Sequence, residues 1–177
     1  MNAETTGRNR WEYLHQTADL EGLPWRVRRR PPAPRTGQTG GVPYANFYCA
    51  VCGRIAATLE LISPGQIPHK TAPPNQEFPY RPPGEGQLIL GIQGQGNLFH
   101  HFLDLSAECV PELRRAVAAA DARGLLELSP EFLPSYCREC DLHYCWRHSR
   151  VVEEYDDGYP DGIYAYCPKH HRRMVDD

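Results

Sequence analysis

Few stretches of this chain keep a regular apolar–polar period for long. Residues 54–62, RIAATLELI, read as a strand that Ser63-Pro64-Gly65 ends. Gln87 to Ile92 and Asn97 to Leu105 read as two more strands. The glycine-rich run Gly91-Ile-Gln-Gly94-Gln-Gly96 lies between them. No lysine followed by serine or threonine comes after it, so it is not the loop that cradles a nucleoside triphosphate. Phe99-His-His-Phe102 does not read as a helix start, which removes the dinucleotide fingerprint. A hairpin turn is the better reading.

The clearest helix runs from Glu112 to Ala122, with Leu113, Ala116, Val117 and Ala120 facing inward. Ser106 is its expected cap, Pro111 sits early in it, and Gly124 is expected to close it. Leu125 to Leu128 reads as a short buried piece, and Ser129-Pro-Glu131 as a helical turn ended by Pro134. Near the N-terminus, Trp11 to Leu20 predicts a short helix with Trp11, Leu14 and Ala18 on one side. These elements predict an α+β fold: one irregular domain of short antiparallel strands with one main helix.

Proline and glycine punctuate the rest. Residues 31–43 read as an extended connector, and residues 64–86, with seven prolines, as a long surface loop that lies as an arm over the body. The expected organisation is therefore a basic extension over 1–43 and a single folded domain over 44–177.

Charge follows the same division. Residues 1–43 carry seven arginines against four acids, whereas the remainder has a balance of −6 within a total of −3. An acidic body makes a poor general surface for nucleic acid. Nucleic acid is thus a disfavoured partner, reached if at all through the Arg26–Arg30 segment. No apolar run has the roughly 18 residues that cross a bilayer, and the first twenty residues lack a signal-peptide core. The expectation is a cytoplasmic protein with no membrane partner.

Cysteine spacing changes the picture most. The chain has seven cysteines, an odd number that argues against a pure disulfide framework. Six of them, with two histidines, form four pairs each separated by two residues: Cys49/Cys52, Cys137/Cys140, Cys145/His148 and Cys167/His170. Two intervening residues let both side chains of a tight turn reach one tetrahedral ion, so eight donors suit two closed, structural Zn2+ sites. Gly53 follows the first pair, where a knuckle needs positive φ. Because Cys140 and Cys145 are only five apart, the preferred pairing is crossed: Cys49, Cys52, Cys145 and His148 at one ion, and Cys137, Cys140, Cys167 and His170 at the other. The sequential pairing, Cys49/Cys52 with Cys137/Cys140 and Cys145/His148 with Cys167/His170, stays open.

This ligand spacing, and nothing else in residues 49–170, resembles RING-type and related treble-clef zinc domains. The resemblance implies a zinc-dependent fold, and it departs from that family in the 84-residue first gap and in histidines that end the third and fourth pairs. Ubiquitin-ligase activity is not carried over. In a treble clef, Asp161 to Tyr166 would be a strand and residues 168–174 a short helix holding His170.

Closed sites lack the open position that catalytic zinc uses for water. No catalytic or cofactor-binding residue is assigned beyond the metal ligands. The favoured function is a non-catalytic, zinc-stabilised adaptor whose partner is another protein, met through the arm at 64–86 or the acidic region 153–161. A metal-dependent hydrolase or nuclease using His100, His101 and Asp104 is the alternative. His143 and His171 lie beside ligand pairs and are candidates to replace His148 and His170 or to support them. Cys109 is expected to pack as a small apolar side chain.

Overall fold

The computed structural model describes residues 26–71, 78, 80, 82, 89–94, 100–105, 108–156 and 159–176. The helix expected over Trp11 to Leu20 and the Ser106 cap lie outside them. The first sheet has five antiparallel strands in sequence order: β1 (Arg35–Thr39), β2 (Val42–Tyr48), β3 (Ile55–Ile62), β4 (Ile89–Gly94) and β5 (His100–Asp104). The connector expected at 31–43 contains β1 and its turn into β2. Thr39 pairs with Val42 across Gly40 and Gly41, whose φ values of 56° and 80° suit a two-residue hairpin that only glycine adopts cheaply.

Strand β3 is the centre of the body. Seven of its eight residues are buried, because both faces of the sheet are covered. Ala57, Leu59 and Leu61 face a core completed by Ala45, Phe47, Leu113, Ala116, Val117, Leu125, Phe132 and Leu133. That core is built by α1 (Val110–Ala119), α2 (Ala122–Leu128) and the 3-10 turn Pro130–Phe132.

The main helix is shorter than its sequence suggests. Ala120 takes a left-handed φ of 49°, and Asp121 N–H donates to the Ala116 carbonyl at 2.8 Å. The chain then restarts as α2, with the Asp121 carboxylate accepting from Gly124 N–H at 3.0 Å. Gly124 therefore sits in the first turn of a second helix and does not close the first.

The other face of β3 is polar and still buried. Thr58 donates to Asn46 at 2.9 Å. Glu60, fully buried, accepts from the amides of His69, Lys70 and Thr71 and from the Thr71 hydroxyl, at 2.8–3.3 Å. The start of the proline-rich segment is thus fastened across the sheet by one carboxylate. Phe78 continues the cover by packing on Phe102, with ring centroids 5.1 Å apart.

A second sheet follows: β8 (Arg150–Asp156), β9 (Tyr159–Tyr166) and β10 (Arg172–Asp176), in the order β10-β9-β8. Val151, Ile163, Ala165 and Val175 form its small core. The helix expected at 168–174 is a turn followed by β10: His170 has φ 64°, a left-handed conformation that stops a helix at that point. Between the two sheets lies the short ribbon β6 (Tyr136–Cys137) and β7 (Leu142–His143). The fold is a small α+β domain, with two α-helices among the described residues where one main helix was expected. No helix among the described residues is long and apolar enough to cross a membrane.

The buried Glu60 clamp makes a direct prediction. Glu60→Ala leaves three amides and a hydroxyl without their acceptor, and chemical denaturation is expected to show a loss of about 3 kcal/mol. Limited proteolysis of that variant should cut earliest within residues 63–71.

Candidate metal centres

Three of the four ligand pairs are hairpin turns. The first, Cys49 to Gly53, joins β2 to β3, with Gly53 N–H donating to the Cys49 carbonyl at 2.8 Å and Gly53 at φ 75°. The second, Cys137 to Asp141, joins β6 to β7. There Asp141 takes the matching position at φ 56°, though it is not glycine. The last, Cys167 to His171, joins β9 to β10, with Lys169 N–H donating to the Cys167 sulfur at 3.3 Å. Cys145 to His148 is a single 3-10 turn between β7 and β8, closed by His148 N–H on the Cys145 carbonyl at 2.8 Å.

These turns converge into two groups, Cys49, Cys52, Cys145 and His148, and Cys137, Cys140, Cys167 and His171. The pairing is crossed, first with third and second with fourth. Seven of the eight expected side chains are brought together, and the eighth place is taken by His171 in place of His170. The reason lies in the turn. His170 N–H closes on the Cys167 carbonyl at 2.8 Å, and its left-handed backbone leaves its side chain exposed. Cys167 N–H then meets the His171 carbonyl at 3.1 Å, so residue 171 lies opposite Cys167. His143 does not ligate: its ring is buried between Phe47 and Tyr136, with Nδ1 3.1 Å from the Ser135 hydroxyl. Burial, with Arg173 adding to it, pushes its pKa down to about 3, so it stays neutral.

The distances test whether zinc fits. Bonds of about 2.3 Å to sulfur and about 2.05 Å to nitrogen give a tetrahedron with edges of about 3.8 Å between sulfurs and about 3.6 Å between sulfur and nitrogen. Cys52 and Cys145 sulfurs are 3.8 Å apart, as are those of Cys140 and Cys167. His148 Nδ1 is 3.5 Å from Cys49 and 3.2 Å from Cys145. His171 Nδ1 is 3.6 Å from Cys137 and 3.2 Å from Cys140. Both groups are therefore Cys3His clusters consistent with two structural Zn2+ sites.

The thiols are poised unequally. A hydrogen bond with Cys145 holds Cys49 down at about 4 and pushes Cys145 up, and burial pushes Cys137 up to about 12. Crowded sulfurs ionise together only with a cation among them, and a bound divalent ion deprotonates its thiols outright.

One N-terminal arginine, Arg28, takes part in the first knuckle. Arg28 donates from its guanidinium to the carbonyls of Val51 and Cys52, at 3.2 and 2.8 Å, and its amide to Ala50 at 2.8 Å. Val27 packs beside Ala50, Cys137, Tyr144 and Cys167. Nothing in the Arg26–Arg30 segment, read from sequence as a solvated tail lying on the acidic body, singles out Arg28 for this contact. The only available signal was the density of arginine next to a knuckle rich in carbonyls.

The remaining candidates lie elsewhere. His100, His101 and Asp104 share strand β5, in register with Gln93, Ile92 and Ile89, and their side chains lie outside the described residues. Cys109 precedes α1, half-buried against the main core. Within the acidic run, Glu154 is held on β8 by Arg172 at 2.6 Å and by the Tyr166 hydroxyl at 3.0 Å.

A family model described as "Domain of unknown function (DUF8328)" matches residues 40–177, a span that holds both clusters, and the chain belongs to that family. No curated protein and no solved structure matches the chain.

Metal analysis of protein purified under reducing conditions is expected to find two zinc ions per chain. His171→Ala should lose about one of them, whereas His170→Ala should keep both. The opposite result would return the fourth ligand to His170.

Proposed function

We propose that this member of the DUF8328 family is a non-catalytic, zinc-stabilised adaptor that binds an extended segment of another protein. Each cluster supplies three sulfurs and one nitrogen, which fill a tetrahedral ion and leave no position for a reacting water. The metal then acts on the fold, fixing turns that carry other surfaces.

The observation that carries the reading is a groove of about 410 Å³ built on the second knuckle. Tyr136, Asp141, Leu142 and His143 of the β6–β7 ribbon form one side. Pro31–Pro34, Tyr48 and the α1–α2 junction form the rest. At its rim Asp141 accepts from the Tyr136 hydroxyl at 2.5 Å and pairs with Arg123 at 3.3 Å. Its size lies within the ordinary range of ligand sites, and tyrosine walls with an arginine nearby are the common anchors of protein recognition. Because Cys137 and Cys140 hold the ribbon, the groove depends on metal.

Selection of peptides from a random library on the zinc-loaded protein tests this reading. Tyr48→Ala and Arg123→Ala are expected to weaken a selected peptide by about tenfold each while both zinc ions are kept. Binding that survives both substitutions, or no selected peptide at all, would overturn the groove as the docking site.

A further inference from the structure

Arg173 is placed where both metal sites can use it. It stands on β10, two residues after the His171 ligand of the second site. Its Nε donates to the Pro134 carbonyl at 2.8 Å, just ahead of the β6 strand that carries Cys137. Its Nη2 donates to the Ser149 hydroxyl at 2.6 Å, and that buried hydroxyl donates to the carbonyl of Cys145, a ligand of the first site, at 3.2 Å. One side chain therefore links a strand of the second site to the turn that closes the first.

The charge of the sites gives this link a purpose. Three thiolates and a neutral imidazole around Zn2+ leave a net charge of −1, so two loaded sites place −2 inside a small domain. An uncompensated buried charge is costly, and a nearby cation offsets it. The Arg173 guanidinium is a half-buried cation at this place; burial lowers its pKa, and the sulfurs of the second site, Cys137, Cys167 and Cys140, oppose that shift. Its remaining nitrogen, Nη1, and the Tyr144 hydroxyl are both buried with no partner among the described residues. Both residues line a cavity of about 20 Å³, shared with Ser135, Ser149 and Trp146, which has room for one water.

We propose that Arg173 links the two Cys3His sites and couples their loading, so that filling one site raises the affinity of the other. Loading the second site orders the Cys167–Arg173 segment and sets the guanidinium on Ser149. That contact holds the Cys145–His148 turn in its closed form for the first ion. By linkage the effect runs equally in the other direction. The two sites also share the β6–β7 ribbon, since Cys140 and Cys145 stand at its two ends. That ribbon gives coupling a rigid path, and Arg173 adds charge to it.

The experiment is a zinc titration of the full, reduced, metal-free chain followed by native mass spectrometry, which counts ions per molecule. Independent sites leave about half or more of the chains singly loaded at half saturation. The wild type is expected to fall well below that, passing from empty to doubly loaded. Arg173→Met should raise the singly loaded fraction about twofold or more, and Arg173→Lys, which keeps the charge but loses the fork, should lie between. Ser149→Ala, which removes the link and leaves the guanidinium, should also raise it, and it serves as the test if Arg173→Met fails to fold. A singly loaded fraction at or above half in the wild type would overturn the proposal. So would coupling that Ser149→Ala leaves unchanged.

Discussion

Six sulfurs in two groups of three, some only 3.8 Å from their neighbours, are the constraint on which the rest of this structure depends. Such groups stay compact only when protonated or gathered around a cation, and the cation is the stronger solution because it turns mutual repulsion into shared attraction. The domain needs that help. Its two sheets have separate cores, and the second rests on four small or medium apolar side chains. One cluster ties the Cys49/Cys52 hairpin of the first sheet to the Cys145–His148 turn, and the other ties the Cys167/His171 hairpin of the second sheet to the β6–β7 ribbon. Metal here takes the place of the continuous core that a chain of this size and irregularity does not build.

The turns explain how ligands so far apart in sequence are brought together. A hairpin turn lets two side chains three or four residues apart point the same way, and three hairpins supply three of the four pairs. The first pair is separated from the second by most of the five-stranded sheet and both helices. The knuckle between β2 and β3 is nevertheless stitched to the ribbon by Ala50 N–H on the His143 carbonyl at 2.8 Å. The long gap is therefore an inserted body whose ends return to one place. Arg28 fastens the outer side of that knuckle from a segment that precedes the family match.

Much of the metal chemistry was legible because it rests on spacing, which sequence displays directly. Seven of the donors and the positive φ at Gly53 followed from the four pairs, and the five-residue step from Cys140 to Cys145 favoured the crossed pairing over the sequential one. The identity of the last ligand was not legible. His170 and His171 are adjacent and chemically alike, and the choice between them is made by a left-handed backbone at His170 that no residue preference announces. The helix expected after Cys167 failed for the same reason. The split of the long helix at Ala120 was hidden by the alanines on both sides, which favour helix equally. The connector at 31–43 read as extended from its prolines and glycines, yet Gly40-Gly41 is a hairpin turn. The burial of Glu60 had no signal in sequence beyond its place in a strand.

The contrast between Gly53 and Asp141 joins the metal to the groove. Both residues follow the second cysteine of a knuckle and both have positive φ. Glycine satisfies the first at no steric cost, whereas a side chain at the second is a strained choice that must be supported. The support is visible: the Asp141 carboxylate is held by Tyr136 and Arg123, and together these three residues make the polar rim of the groove. The hydroxyl of Tyr136 lowers the Asp141 pKa first, with Arg123 reinforcing it against burial. The second knuckle thus carries a charged, oriented carboxylate where the first carries none. The second cluster therefore fixes a knuckle that also forms part of the groove, whereas the first fixes a hairpin of the five-stranded sheet.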